Sequence, residues 1–422
     1  MRFRFGATWV NSRSLMSDEA LTTPESPPRV RKFWVNVTVG VLLAVYAVMA
    51  LAASTHKGPA FDEPKTMAVG YDEWARGDFR MDGAHGDFIK RWATLPLLIS
   101  KPDNVSTSNP ALRQLLPYQF GYEFFFMSDN SPDLLLLQGR AMVVLLGVVL
   151  GLLIYRCARD VSGVAGGVSA LFIFAFSPNM LAYGAMVTGE IPLCLGLLGA
   201  TWSIWRLLHR VTIWRLLASL GFFALLTLTK PAALMILPVT LVLVLVKFLS
   251  GRPLEWCIGR AKLINSRVTQ IGIFAGMALL HVLVGWTAIW ANYDFRYAAN
   301  PTPATAQSAT PMATSPHDSE DEAVAEFLTW SARTHFLPEG FINGVQALLG
   351  ETDTRETFLD GDWNRNGWPT FFLSVAWEKT SPALMLIFVI GLGSWAWSLA
   401  RGVRARLGST SGPQPAEVID TY

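Results

Sequence analysis

Charge is scarce in this chain. Only 16% of its 422 residues are Asp, Glu, Lys or Arg, against about 25% in an ordinary soluble domain. The 34 basic and 32 acidic residues leave a net charge of +2, too small to point to a nucleic-acid partner. Basic residues occur instead in short clusters beside apolar runs, the signature of membrane topology. Cysteine is scarcer still. Cys157, Cys194 and Cys257 all fall in or near predicted spans or cytoplasmic loops. No pair is placed to bridge an outer loop, which argues against a disulfide framework. Residues Met1 to Pro28 lack any apolar run and are polar, with Pro and Ser; the first such run begins at Phe33. A cleavable signal peptide is therefore not expected, and residues 1–32 read as a disordered cytoplasmic tail. No internal repeat is evident, which counts against an inverted-repeat transporter.

Apolar and aromatic residues are abundant. They include 16 Trp and 25 Phe, and 51% of the chain is hydrophobic; mean hydropathy is +0.34. About 20 apolar residues cross a bilayer as a helix. Six runs meet that need: Phe33–Ala53, Leu134–Ile154, Ile191–Leu208, Ala232–Leu249, Thr269–Ala291 and Ala383–Ala400. Val161–Phe176 is short and Gly-rich, and Leu216–Thr229 is shorter still. It spans only if Arg215 and Lys230 snorkel to the two interfaces. Counting all eight puts every basic cluster beside a span end on one side: Arg29/Arg31/Lys32, Arg156/Arg159, Arg206/Arg210/Arg215, Lys247 to Arg267, and Arg401/Arg404/Arg406. The expected fold is an all-α integral membrane protein with about eight transmembrane helices between residues 33 and 400. Both termini, including a tail at 401–422, lie in the cytoplasm. Two large loops, 54–133 and 292–382, then lie outside and carry short juxtamembrane helices. Residues 298–322, rich in Pro, Ala, Thr and Ser, read as a disordered insert in the second.

Polar residues with chemical potential gather on that outer face. Asp62-Glu63-Pro64 precedes a helical pattern from Lys65 to Ala75. Asp62 reads either as an N-cap or as a general base whose pKa is raised near the hydrocarbon. Tyr71, Gly77 and Asp78 follow, then His85-Gly86-Asp87 and the interfacial stub Leu95-Pro96-Leu97-Leu98. His85 is either a solvated loop residue or a ligand for phosphate or metal. Glu190 opens a span, either favouring a helix N-terminus or facing a cavity as a second carboxylate. Lys230, in Thr229-Lys230-Pro231, is a cation on the outer side, fit for a lipid phosphate or pyrophosphate. Lys379, in Trp377-Glu378-Lys379-Thr380-Ser381-Pro382, is another. Aromatics with Gly and Asn at 336–341 and 358–369 suit a carbohydrate surface or an interfacial belt.

Taken in order, these features resemble the GT-C glycosyltransferases: Asp-Glu after the first span, then Tyr, Gly, His and Leu-Pro-Leu-Leu. Ser177-Pro178 to Pro192, Leu226 to Pro231, and Trp377 to Pro382 resemble the later motifs. The bacterial branch is similar to the protein mannosyltransferases and the aminoarabinose transferases of lipid A. Relatives often carry prolines after the His, where this chain has Gly86-Asp87-Phe88. They often have Asp where it has Glu190. The resemblance implies a glycosyltransferase of the cell inner membrane. It would move a hexose or pentose from a polyprenyl-phosphate donor to a hydroxyl of a protein, lipid or glycan acceptor, with inversion. Asp62 would be the catalytic base. Glu63 and Glu190 would orient acceptor or sugar, or hold a divalent cation where the branch uses one; no other cofactor is implied. Lys230, with His85 and Lys379, would neutralise the departing phosphate, and Tyr71 would line the donor site. The alternatives are a flippase of lipid-linked sugar, disfavoured because the strong spans contain almost no polar side chains, and a non-catalytic membrane scaffold.

Overall fold

A computed structural model describes residues 29–55, 57–81, 86–300, 322–354, 357–365 and 367–408. His85, most of the 298–322 insert and nearly all of the N-terminal tail lie outside them. The chain is mostly helical and separates into two units, Met1–Gly350 and Glu351–Tyr422.

In the first unit, α1 (Arg29–Thr55) is a long apolar helix. The segment after it folds as a packed module of short helices. It comprises α2 (Glu63–Arg76), α3 (Asp87–Ala93), α4 (Leu97–Ser100), α5 (Pro110–Arg113), α6 (Pro117–Tyr122) and a π-helical turn at Glu123–Met127. Its core includes Met67, Val69, Ile89, Phe120, Phe124 and Phe125.

Helix α7 (Pro132–Ala175) runs 44 residues but breaks at Gly163, whose φ of 75° and ψ of −173° are not helical. The chain doubles back there. Phe174 lies against Gly151, where a Cβ would come within 2.9 Å of its ring; an unbroken helix would hold these residues about 35 Å apart. The expected Leu134–Ile154 and Val161–Phe176 segments are thus the two arms of one hairpin. After α8 (Pro178–Tyr183) come α9 (Glu190–His209), α10 (Ile213–Thr227), α11 (Ile236–Leu249), α12 (Arg267–Asn292), α13 (Glu322–Thr334) and α14 (Glu339–Thr354). A 3-10 turn at Pro231–Met235 precedes α11. A small sheet closes the basic end of this group. Its strand β1 (Arg210–Val211) pairs parallel with β2 (Leu254–Trp256), which pairs antiparallel with β3 (Lys262–Ile264).

The second unit holds a hairpin of β4 (Thr357–Leu359) and β5 (Asp362–Asn364), then α15 (Phe371–Lys379) and α16 (Pro382–Gly408). The last two are bent by 113° at their junction.

Among the described residues, four helices are long and apolar enough to cross a membrane: Lys32–Thr55, Pro132–Ala175, Glu190–His209 and Arg267–Asn292. The bent pair makes a fifth if taken as one span. Their outer surfaces stay apolar without protein cover. Only 11% of the most apolar stretch of α12 is buried, and Val268, Ile271, Leu279, Val282 and Leu283 all stand exposed. A contiguous apolar exterior of this kind needs lipid around it.

The spans also bury polar groups, contrary to the expectation of almost none: Arg140, Gln270 and His281. His281 Nδ1 lies 2.7 Å from the Met277 carbonyl oxygen, an acceptor, so Nδ1 carries the proton and Nε2 accepts from Ser219 Oγ at 2.8 Å. This bond joins α10 to α12 where no water competes.

Candidate functional site

Asp62 precedes α2, yet its side chain makes no capping bond there. It accepts instead from the Tyr118 hydroxyl at 3.0 Å and lies 3.6 Å from Lys65 Nζ. Lys65 is buried while the Asp62 carboxylate is 44% exposed, and Tyr118 lies beneath the Lys65 ammonium. A cation and a phenol thus steer the carboxylate, and one side of it stays open. The capping account of Asp62 does not describe this geometry.

The neighbouring Glu63 points the other way and is fully buried. Arg140, in the first arm of α7, grips it with Nε at 3.0 Å and Nη2 at 2.6 Å. The backbone N–H groups of Ala60 and Val187 complete its shell, at 2.7 and 3.1 Å. Arg140 also donates to the carbonyls of Ser54, Lys57 and Gly58. One ion pair therefore fixes the end of α1, the start of α2 and the turn before α9. Sequence reasoning missed Arg140, although a lone Arg six residues into an apolar run is a signal in itself.

Glu190 and Lys230 meet. Lys230 Nζ lies 2.5 Å from Glu190 Oε1, both side chains partly buried, and the Lys230 stem packs over Gly189. Lys230 also lines a cavity of about 310 Å³. Its walls come from α10, the turn into α11, α12 and α14: Phe223, Leu226, Leu237, Ile289, Phe341 and Val345 are among them. Its lining is mostly apolar, and the polar exceptions are Asp87, Thr227, Thr229 and Lys230.

Asp87 enters this site through a backbone contact. Gly86, at φ +85°, lies so close to Thr229 that a Cβ would come within 3.0 Å of its carbonyl carbon. The Phe88 N–H donates to the Leu228 carbonyl at 3.1 Å. Behind Asp87, Lys90 Nζ sits 2.9 Å from its carboxylate and 2.8 Å from that of Glu73. Burial pushes Glu73 up to about 7, opposed by Lys90 and reinforced by Asp87. Asp72, one residue earlier, is pushed up to about 6 by burial, against the pull of Arg76 and Asn104.

The other expected residues lie elsewhere. Tyr71 is buried in the module after α1 against Phe124 and is not among the residues lining the cavity. Asp62 does not line it either; its link to Glu190 runs through Glu63 and Val187, three residues before Glu190. Lys379 ends α15 in the second unit. His85 falls outside the described residues. Among these residues no three His, Cys, Asp or Glu side chains are grouped to hold a metal ion.

The model of one protein family, dolichyl-phosphate-mannose-protein mannosyltransferase, matches residues 135–286. The match supports a GT-C superfamily glycosyltransferase. It covers about a third of the chain, with Arg140, Glu190, Lys230 and the α7 hairpin inside it and Asp62, Glu63 and Asp87 outside. The GT-C type accords with a membrane-embedded helical chain. No curated protein and no solved structure matches.

Proposed function

We propose that the chain takes a sugar from a polyprenyl-phosphate donor and passes it, with inversion, to a hydroxyl of a protein, lipid or glycan acceptor on the extracytoplasmic face of the bacterial inner membrane. The apolar cavity that Lys230 helps to line carries this reading. Its volume lies at the lower end of small-ligand sites, which suits the head end and first units of a prenyl chain whose remainder stays in lipid. The family match, named for a dolichyl-phosphate-mannose enzyme, supports the donor class. In this reading residues 33–400 cross the bilayer eight times, with the α7 hairpin giving two crossings, α10 and α11 one each, and both tails inside. The module at 54–133 and the loop at 292–382 lie outside.

Asp62 takes the proton of the acceptor hydroxyl as its oxygen bonds to the anomeric carbon. The bond from that carbon to the phosphate oxygen breaks, and the phosphate leaves with the electron pair. Lys230, with His85 as a further cation, stabilises the growing charge, an effect strengthened by the surrounding hydrocarbon. Glu190 holds Lys230 until the phosphate arrives and then orients sugar or acceptor. Glu63 acts through Arg140, setting the turn that carries Glu190. Tyr71 supports the donor site from within the outer module. Glu190, unlike the buried Glu63, is exposed enough to serve as a ligand for a divalent cation.

The test is transfer from radiolabelled polyprenyl-phosphate sugars into membrane acceptors by vesicles bearing the chain. Asp62→Asn and Lys230→Gln should each lower transfer at least 100-fold while protein level and thermal midpoint hold. Undiminished transfer by Asp62→Asn would remove it as the base.

A further inference from the structure

We propose that Asp87 recognises hydroxyls of the sugar that the lipid donor carries. This rests on the reading of the cavity as the donor site. Among the described residues that line it, Asp87 and Lys230 are the only ionisable ones, and their chemistries are opposite. Lys230 offers N–H donors to a phosphate. An ionised carboxylate is acceptor-only, repels phosphate and takes hydrogen bonds from hydroxyl groups. In a polyprenyl-phosphate sugar, the group bonded directly to the phosphate is the sugar. A phosphate on Lys230 therefore places the hydroxyl-bearing ring in or beside the cavity that Asp87 also lines.

Two further observations support a binding role. Lys90 serves two buried carboxylates, Glu73 at 2.8 Å and Asp87 at 2.9 Å. One ammonium thus faces two acids, one carboxylate more than its charge requires. A second buried carboxylate is costly to desolvate, and its position at the cavity wall gives it a use. The backbone also locks the register. The bond from Phe88 N–H to the Leu228 carbonyl and the close approach of Gly86 to Thr229 tie Asp87 to the segment that carries Lys230. The two charges cannot drift apart unless that contact opens. Tyr293, which hydrogen-bonds the Asp87 carboxylate, fixes its orientation from the residue that caps α12.

The experiment uses the full chain in lipid nanodiscs. Equilibrium binding is measured for undecaprenyl phosphate and for the same lipid carrying mannose, glucose or arabinose. Wild type should hold at least one sugar-linked lipid tenfold more tightly than the bare one. Asp87→Asn, which keeps the volume and leaves the Glu73–Lys90 pair intact, should erase that preference while bare-lipid affinity stays within twofold. Lys230→Gln should weaken both. Equal affinity of wild type for bare and sugar-linked lipids overturns the proposal without any variant. So does an Asp87→Asn chain that keeps its sugar preference, or one that loses bare lipid equally. If wild type fails to bind undecaprenyl phosphate at all, the donor-site reading itself falls, and the proposal with it.

Discussion

Glu63 and Arg140 show how much one buried pair can organise. The carboxylate receives four donors and the guanidinium reaches three further carbonyls, so neither charge is left uncompensated. Removing one partner strands the other. Arg140→Met should destabilise the protein by about 3–5 kcal/mol, seen as a fall in thermal midpoint in detergent, and adding Glu63→Gln should recover part of the loss. Equal instability of single and double variants would show that the carbonyl contacts, not the ion pair, matter most. Asp72 presents the opposite case, a carboxylate held where burial outweighs its partners. Its folded pKa rises from 3.8 to about 6, so the folded state binds its proton more tightly than the unfolded chain does. The stabilisation from that proton is complete below about 3.8 and is lost as pH climbs through about 6. Asp72→Asn should therefore raise the thermal midpoint at pH 7.5, by the equivalent of about 1–3 kcal/mol, with the gain vanishing near pH 4. A gain that is constant with pH would rule out titration of this group as its cause.

Helices and turns carry a second layer of information. Gly163 sits in a backbone region that only glycine enters without strain, and a Cβ there would meet nothing within 4 Å. Any effect of Gly163→Ala is thus conformational, and it should cost about 1–3 kcal/mol. Gly221, inside α10, also has open space around it but keeps negative φ. Gly221→Ala should leave stability unchanged or raise it by up to about 1 kcal/mol. A comparison of the two midpoints checks the hairpin directly, and equal effects would refute it. The Gly-rich run at 161–176 was legible as a weak span because Gly163, Gly166 and Gly167 shorten its apolar signal rather than remove it. The packing of 57–130 was not legible. Its buried charges, Lys65, Asp72, Glu73 and Lys90, lie on a face that hydropathy alone assigns to water. They become core because ion partners meet them there, Asp62, Arg76 and Asp87 within a helical turn and Lys90 reaching Glu73 from the next helix. Asp87 was passed over because its place in the cavity depends on contact of its neighbours with Leu228 and Thr229, about 140 positions later.

At the scale of the molecule, composition gave away the membrane and left the arrangement at its outer boundary to tertiary contact. Glu190 and Lys230 are forty positions apart and read singly as a helix start and a snorkelling cation; only their 2.5 Å approach makes them a unit. The sidedness on which the proposed chemistry rests has its own check. If the acids at 62 and 190 and Lys230 face the extracytoplasmic side, residues of the outer module must share that side, and the sheet of β1 to β3 must lie on the other. Ser108 and Leu263 are exposed representatives of each. In a chain whose three native cysteines are replaced by alanine, Ser108→Cys should react with a membrane-impermeant maleimide in intact spheroplasts, and Leu263→Cys only after permeabilisation. Because residues 108 and 263 are separated by the α7 hairpin and helices α9 to α11, opposite labelling requires an odd number of crossings between them. The eight-span topology supplies five, and loss of the hairpin's return arm would supply four. Labelling of both positions from outside would therefore remove a crossing from this interval and move the basic clusters at 252–267 to the face proposed for catalysis, where the positive-inside rule disfavours them.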